Sequence, residues 1–451
     1  MNDKYPIAAL ASAAGSAALA VLRLSGAGTH RLLAPMLARS IDAYKFRQLH
    51  LCNLRDPISK VILDEIMLVL FPAKRSFTGE ESAEIICHGG PYVVQKILAT
   101  LYDSGFTPAE PGQFTQRAFL NGRLDLAKAE GIRELTQAQT EHQWLAANQL
   151  FGGKLSSKII ELRQALISAM ALLEAKIDFP EEEDSAHISQ NEILETVKSV
   201  EDQICQLLAS YENGKIAASG LRVALLGPPN AGKSTLLNKL LGHERAIVSE
   251  EAGTTRDYIE DSIVLNGLLI KLIDTAGIRN TDAAIEKKGI ERSLEFAKSA
   301  DLIIVLYPFD EAAPNDFISE LSLEEKKNNF LKVATKSDLP QPTWLDSTWI
   351  SLSCKNDVGI SQLENAIKEF FERKMAHLVD HTFITATRHV HALHNAQHCI
   401  HRFNDGVAAK AYEEVLAFEL LESIKALNSI IGKVDVEEIL DEIFSKFCMG
   451  K

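Results

Sequence analysis

Eight residues constrain this chain more than any others: Gly227-Pro228-Pro229-Asn230-Ala231-Gly232-Lys233-Ser234. They follow the apolar run Val223-Ala224-Leu225-Leu226 and precede Thr235-Leu236-Leu237-Asn238-Lys239-Leu240. Strand, glycine-rich turn and helix in that order are the context a G-x-x-x-x-G-K-S phosphate loop needs. Backbone N–H groups of such a loop, backed by a helix N-terminus, cradle phosphate oxygens. Lys233 is then the cation for the β- and γ-phosphates and Ser234 a Mg²⁺ ligand. Strands and helices alternate from Leu221 to about Lys374, the pattern of a parallel α/β sheet.

Three further motifs follow in order. Leu272-Ile273-Asp274-Thr275-Ala276-Gly277 ends a strand with an Asp placed to hold Mg²⁺ through water, and Gly277 offers a backbone N–H to a γ-phosphate. Phe330-Leu331-Lys332-Val333-Ala334 runs into Thr335-Lys336-Ser337-Asp338. Asp338 can accept from guanine N1–H and the 2-amino group, and adenine offers no matching pair of donors. Ser353-Cys354-Lys355 fits the loop behind the base. Base-reading motifs of this kind usually begin with Asn, so Thr335 is expected to brace the loop more weakly while leaving guanine specificity intact. Between the first two motifs, Gly253-Thr254-Thr255-Arg256-Asp257 supplies Thr255 to close over Mg²⁺.

The residue after Gly277 is Ile278, where Ras-like proteins carry the Gln that orients the attacking water. Ile can neither donate nor accept a hydrogen bond. Another group must position water, and Glu286 and Arg279 lie just downstream.

The rest of the chain bounds the setting. At 451 residues two to four domains are expected. A hydrophobic content of 46% with 24% charged residues describes a soluble globular protein. The net charge of -14 argues against a chain coated in nucleic acid, and leaves room for a local basic patch. Six cysteines without a CxxC pair favour a reducing cytoplasm over a disulfide framework. Ile7 to Leu22 is apolar but lacks a positive flank and is too short to span a bilayer, so neither a signal peptide nor a membrane anchor is expected.

Short apolar runs with Gly and Pro punctuation make residues 1–120 an α+β domain. Residues 121–216 read as long amphipathic helices, interrupted at Asp178-Phe179-Pro180. Residues 217–375 form the G domain, and 376–451 return to helix, so the G domain reads as an insertion into a helical domain.

Several stretches resemble the MnmE (TrmE) family of tRNA-modification GTPases along nearly the whole chain. They are Leu22-Arg23-Leu24-Ser25-Gly26, Ser76-Phe77-Thr78-Gly79-Glu80-Glu81, Cys87-His88-Gly89-Gly90, Pro111 to Leu126, and Phe447-Cys448-Met449-Gly450-Lys451. The resemblance implies a folate-binding α+β N-terminal domain, a helical domain and an inserted Ras-like P-loop G domain. It implies a homodimer joined through the N-terminal domain, and an FAD-containing partner, MnmG, with which C5 of the wobble uridine of certain tRNAs is modified. It also implies K⁺, ligated by Asn230, Ser249, Glu251 and Thr254, with Glu286 orienting water. Asn230, Ala231, Gly232, Lys233, Ser234, Thr235, Ser249, Thr254, Thr255, Asp274, Thr275, Ala276 and Gly277 then surround the phosphates of GTP. Thr335, Lys336, Asp338, Ser353, Cys354 and Lys355 surround its base.

For 5-formyltetrahydrofolate or a related tetrahydrofolate, the resemblance offers Arg23 and Arg117 for the glutamate carboxylates and Glu80 and Asn121 for the pterin. Ala11 to Ala18 stands where members carry a Pro- and Gly-rich turn. Cys448 is the candidate chemical group of the tail, or a plain terminal thiol. His391, His394, His398 and His401 share one helix face, at a spacing that suits a metal, solvent or RNA. Two other readings stay open: a regulatory or ribosome-assembly GTPase, and a one-carbon transferase with an inert G domain.

Overall fold

The computed structural model describes residues 5–178, 190–243, 260–273, 300–313, 329–376, 382–432, 443, 444, 447 and 450. They fall into two compact units. One comprises segments 1–133, 150–167 and 421–451, the other segments 134–149 and 168–420.

In the first unit, β1 (Ile7–Leu10), β2 (Leu19–Ser25), β3 (His50–Arg55), β4 (Ile62–Phe71), β5 (Ser82–His88) and β6 (Thr107–Pro108) form one sheet. Its order is β3-β4-β5-β2-β1-β6, antiparallel except for the β1–β6 pair. The two-residue period of a strand sends Leu22, Leu24, Ile66, Leu68, Leu70, Ala83, Ile85 and Cys87 to one buried face. The core around them takes in residues of α1 (Thr29–Leu33) and of α2 (Pro91–Asp103), which lays Val94, Ile97 and Leu101 there. Pro91 opens α2, where the missing N–H costs nothing. α3 (Gln113–Leu120) then buries Phe114 and Arg117.

The helical stretch is more divided than its composition suggests. It comprises α4 (Leu126–Gln137), α5 (Glu141–Phe151), α6 (Lys154–Asp178), α7 (Gln190–Ala209) and α8 (Tyr211–Ser219). Only α6 and α7 are long. α5 and α6 part at Gly152-Gly153, where Gly153 takes φ 80°. α6 is described as far as Asp178, and the break expected at Pro180 lies outside the described residues.

The second unit carries β7 (Leu221–Leu226), α9 (Lys233–His243), β8 (Glu260–Leu265), β9 (Leu268–Ile273), β10 (Leu302–Pro308), β11 (Phe330–Thr335) and β12 (Trp349–Leu352). The sheet order is β12-β11-β10-β7-β9-β8, with only β8 antiparallel to its neighbour. All seven residues of β10 are buried, as a central parallel strand covered on both faces requires. Helices Ile360–Met375, Thr387–Ala408 and Glu413–Ile431 follow. Helix Thr387–Ala408 packs on α7, its Leu393, Ala396, Ile400 and Phe403 buried. Among the described residues no helix is long and apolar enough to cross a membrane.

Candidate nucleotide-binding site

β7 runs parallel to β10 on one side and β9 on the other, so the strand order reverses around it. Loops leaving the carboxyl ends of β7, β10, β11 and β12 meet at this reversal, the crevice where open α/β sheets take ligands. The loop after β7 is Gly227 to Ser234. A side chain at Gly227 would strike the Leu306 carbonyl of β10, so only glycine lets the loop pass this close. Asn230 (φ 61°) and Gly232 (φ 88°) take left-handed backbone, which helps successive N–H groups form an anion-binding concavity. Lys233 Nζ donates to the carbonyls of Gly227 at 2.7 Å and Pro228 at 2.9 Å, bending its charge back over the loop. Ser234 and Thr235 sit exposed in the first turn of α9.

Thr335 ends β11 with its side chain buried, and its hydroxyl donates to the Ala231 carbonyl at 2.8 Å. The base-reading strand therefore grips the phosphate loop through one hydrogen bond. Thr335→Val keeps the volume but leaves that carbonyl unpaired, at about 1 kcal/mol. GDP affinity is expected to fall about fivefold, while Thr335→Ser stays near wild type; titration with a fluorescent GDP reads both.

Beyond Thr335, the Ser353 hydroxyl donates to Asp338 Oδ1 at 2.8 Å and holds this exposed carboxyl below the usual carboxylate range. Lys336 (φ 59°) pairs with Asp310 at 2.8 and 3.0 Å. Asp310 follows β10, whose neighbour Phe309 donates its backbone N–H to the Thr335 carbonyl at 2.9 Å. Trp344 packs edge-on against Tyr307, Phe309 and Trp349 and donates its indole N–H to the Glu311 carbonyl at 3.1 Å. Sequence reasoning passed over Asp310 and this aromatic cluster. The available signal was an acidic residue just past a fully apolar strand.

Ser249, Glu251, Thr254, Thr255, Arg256, Asp274, Thr275, Ala276, Gly277, Ile278, Arg279, Glu286 and Cys448 lie outside the described residues. The described part of the crevice suits a guanine nucleotide: a loop of backbone donors with a lysine for phosphates, and an ionised carboxylate for the base.

The first unit holds the other candidates. Arg23 pairs with Glu84 across β2 and β5 at 2.9 Å, and its guanidinium lies over the Phe77 and Phe114 rings. Its Nη1 also reaches the Gly450 carbonyl at 3.4 Å. Gly450 (φ 85°) lies so close to Leu10 and Ala11 that a side chain there would strike the Leu10 carbonyl. Phe447 joins Phe444, Leu126 and Ala129 in a small core, and Gly112 lies directly against Phe444 and Phe447. Gly450 is thus seated against the end of β1, and Phe447 against α4 and the Gly112 turn.

Arg117 departs from its expected role. It is 2% exposed, and Nη1 donates to Glu80 at 3.0 Å and the Ser25 carbonyl at 3.3 Å, while Nη2 donates to the Tyr5 carbonyl at 2.9 Å. Its Nε is buried without a partner, so the guanidinium presents no exposed fork to a ligand carboxylate. Asn121 donates its amide to the Thr78 carbonyl at 2.8 Å and keeps its oxygen. The Ala11–Ala18 turn lines an apolar cavity of about 380 Å³ with α2, and none of Arg23, Glu80, Arg117 or Asn121 lines it. His391, His394, His398 and His401 are exposed, with His401 Nδ1 at 3.4 Å from Glu201. Among the described residues no group of three or more metal-ligating side chains converges.

The sheet order and the loop at its switch point define the second unit's αβ module as a P-loop GTPase. Residues 6–123 match the family model described as GTP-binding protein TrmE N-terminus, and residues 126–448 match that of the MnmE helical domain. The chain belongs to the MnmE family. It is 38% identical over 100% of both chains to the tRNA modification GTPase MnmE of Akkermansia muciniphila. Identity to the protein of that name from Chlorobium chlorochromatii is 39%, over 99% of this chain and 98% of that one. The Opitutus terrae protein is 38% identical over the same shares.

Proposed function

We propose that this protein hydrolyses GTP in the service of tRNA modification, acting in the cytoplasm as a homodimer with an MnmG-type flavoprotein on C5 of the wobble uridine. The observation that carries the GTPase half is the crevice after β7, where Lys233, the Thr335–Ala231 bond and the Ser353–Asp338 pair serve phosphates and base together. The domains proposed are 1–120 for folate binding and dimerisation, 217–375 for GTP, and 121–216 with 376–451 as the helical body.

Lys233 and the loop N–H groups hold the phosphates, Ser234 and Thr255 offer oxygens to Mg²⁺, and Asp338 selects guanine. Asn230, Ser249, Glu251 and Thr254 offer oxygens to K⁺. A monovalent cation beside the phosphates supplies the charge that an arginine finger gives elsewhere. Glu286 takes the water-positioning role that Ile278 cannot. Arg23, Glu80 and Asn121 face the folate, and Arg117 sets the position of Glu80 from behind.

GTP hydrolysis in KCl and NaCl at matched ionic strength tests the cation role. Turnover is expected to be roughly tenfold or more faster in K⁺, and Asn230→Gly should bring it down to the Na⁺ level. Glycine is the better substitution because it keeps the left-handed backbone that alanine would strain. Equal rates in both salts would sink the K⁺ mechanism and turn attention to Arg256 and Arg279.

A further inference from the structure

We propose that one end of the N-terminal sheet is the docking face for the sugar-phosphate backbone of the tRNA, a proposal that rests on the tRNA-modification reading above. Strand pairing brings the chain around residues 25–31, 45–50 and 72–81 to the same end of the sheet, since Ser25 pairs with Ser82, Phe71 with Ser82, and His50 with Leu68. α3 ends there too, Asn121 bonding to Thr78. This end carries Arg31, Lys45, Arg47, Lys74, Arg75 and Arg123, all exposed and none with an ion-pair partner among the described residues.

Three of the acids near this end are spent on the fold, leaving Asp42 and Asp103 exposed against six cations. Glu80 pairs with Arg117, Glu81 with His30, and Asp125 with Lys128 and Ser156. The result is a concentrated positive face on a chain of net charge -14, whose remaining surface repels a polyanion and so orients it.

Two details favour a nucleic acid over a generic anion. Phe46 and Phe77, 51% and 39% exposed, stand among the cations, and exposed rings between cations suit unpaired bases. Phe77 also stacks with Arg23, whose guanidinium reaches the Gly450 carbonyl. RNA on this face therefore lies next to the seated tail. Moreover, Arg47 and Lys74 hold left-handed backbone at φ 59° and 65°, where glycine or asparagine would sit with less strain. The backbone keeps long cations at positions that suit them poorly.

The test combines Lys74→Gln, Arg75→Gln and Arg123→Gln in the full chain and measures binding of a fluorescent tRNA by anisotropy across a KCl series. Affinity is expected to fall roughly tenfold or more, and the slope of log K against log salt to shrink by about 2 to 3. GTP hydrolysis without tRNA should stay unchanged, which also certifies the fold. A matched variant losing Lys96, Lys198 and Lys410 instead should bind tRNA within about twofold of wild type. Equal losses in the two variants, or an unchanged salt slope in the first, would overturn the assignment. So would retention of tRNA affinity alongside loss of binding to phosphatidylcholine–phosphatidylserine vesicles, which would make this a membrane face. If wild type itself fails to bind tRNA, the tRNA-modification reading falls with it; if only the first variant still binds normally, this face alone is wrong.

Discussion

Asp338→Asn is expected to cut the kcat/KM for GTP by roughly 10³-fold or more and to create activity with xanthosine triphosphate. Guanine presents two donors, N1–H and the 2-amino group, and a carboxylate meets both with acceptors. The Ser353 hydroxyl at 2.8 Å fixes one oxygen of that carboxylate and keeps it ionised to lower pH than a free Asp. An amide in the same place offers one acceptor and one donor. That pairs with xanthine N1–H and its 2-oxo group and leaves guanine's amino group facing another N–H. A site built on paired hydrogen bonds rejects the mismatched base far more strongly than an apolar pocket rejects a missing methylene. Rates with GTP, ATP and xanthosine triphosphate decide it. Retention of GTP activity within tenfold of wild type would show that the base is read elsewhere, with Lys336 and Lys355 the next residues to change.

The second large effect lies in the other unit. Arg117→Leu is expected to destabilise the protein by about 3 to 5 kcal/mol, because it leaves Glu80 as an uncompensated carboxylate with the Ser25 and Tyr5 carbonyls short of a donor. Glu80 also accepts from the Ser25 hydroxyl at 2.8 Å, so the loss spreads into a buried cluster of Ser25, Thr78 and Ser82. Urea unfolding followed by circular dichroism gives the cost. The double variant Arg117→Leu/Glu80→Gln should lose less than the two single losses added together, since neither charge is then stranded. A small stability loss with a large drop in affinity for 5-formyltetrahydrofolate, measured by calorimetry, would instead restore Arg117 as a ligand clamp.

The G domain was legible because its motifs are local. A phosphate loop is eight consecutive residues between a strand and a helix, and the spacing that makes it bind also makes it readable. Thr335 shows where this stops. Its departure from Asn was visible, but the hydroxyl bond to Ala231 spans 104 residues and depends on β7 and β11 flanking β10. Arg117 shows the same limit from the other side. An Arg in a family-like stretch reads as a ligand group, and only the burial of α3 and the approach of Tyr5, 112 positions earlier, makes it a structural one. The division between α5 and α6 was not legible, because Gly152-Gly153 was outweighed by the apolar period around it.

The seating of Gly450 also has a consequence in time. Arg23 bonds to a carbonyl 427 positions further along the chain, and Leu10 and Ala11 pack against the same glycine. A ribosome adds roughly 5 to 20 residues each second, so β1 and β2 leave it roughly 20 to 90 s before the segment that completes their surroundings. Throughout that interval the nascent N-terminal domain presents an open seam where the tail will sit. The P-loop module, whose last helix ends at Met375, can close roughly 4 to 15 s before that segment is made. Synthesis thus completes the GTP-binding module before it completes the seam at Gly450.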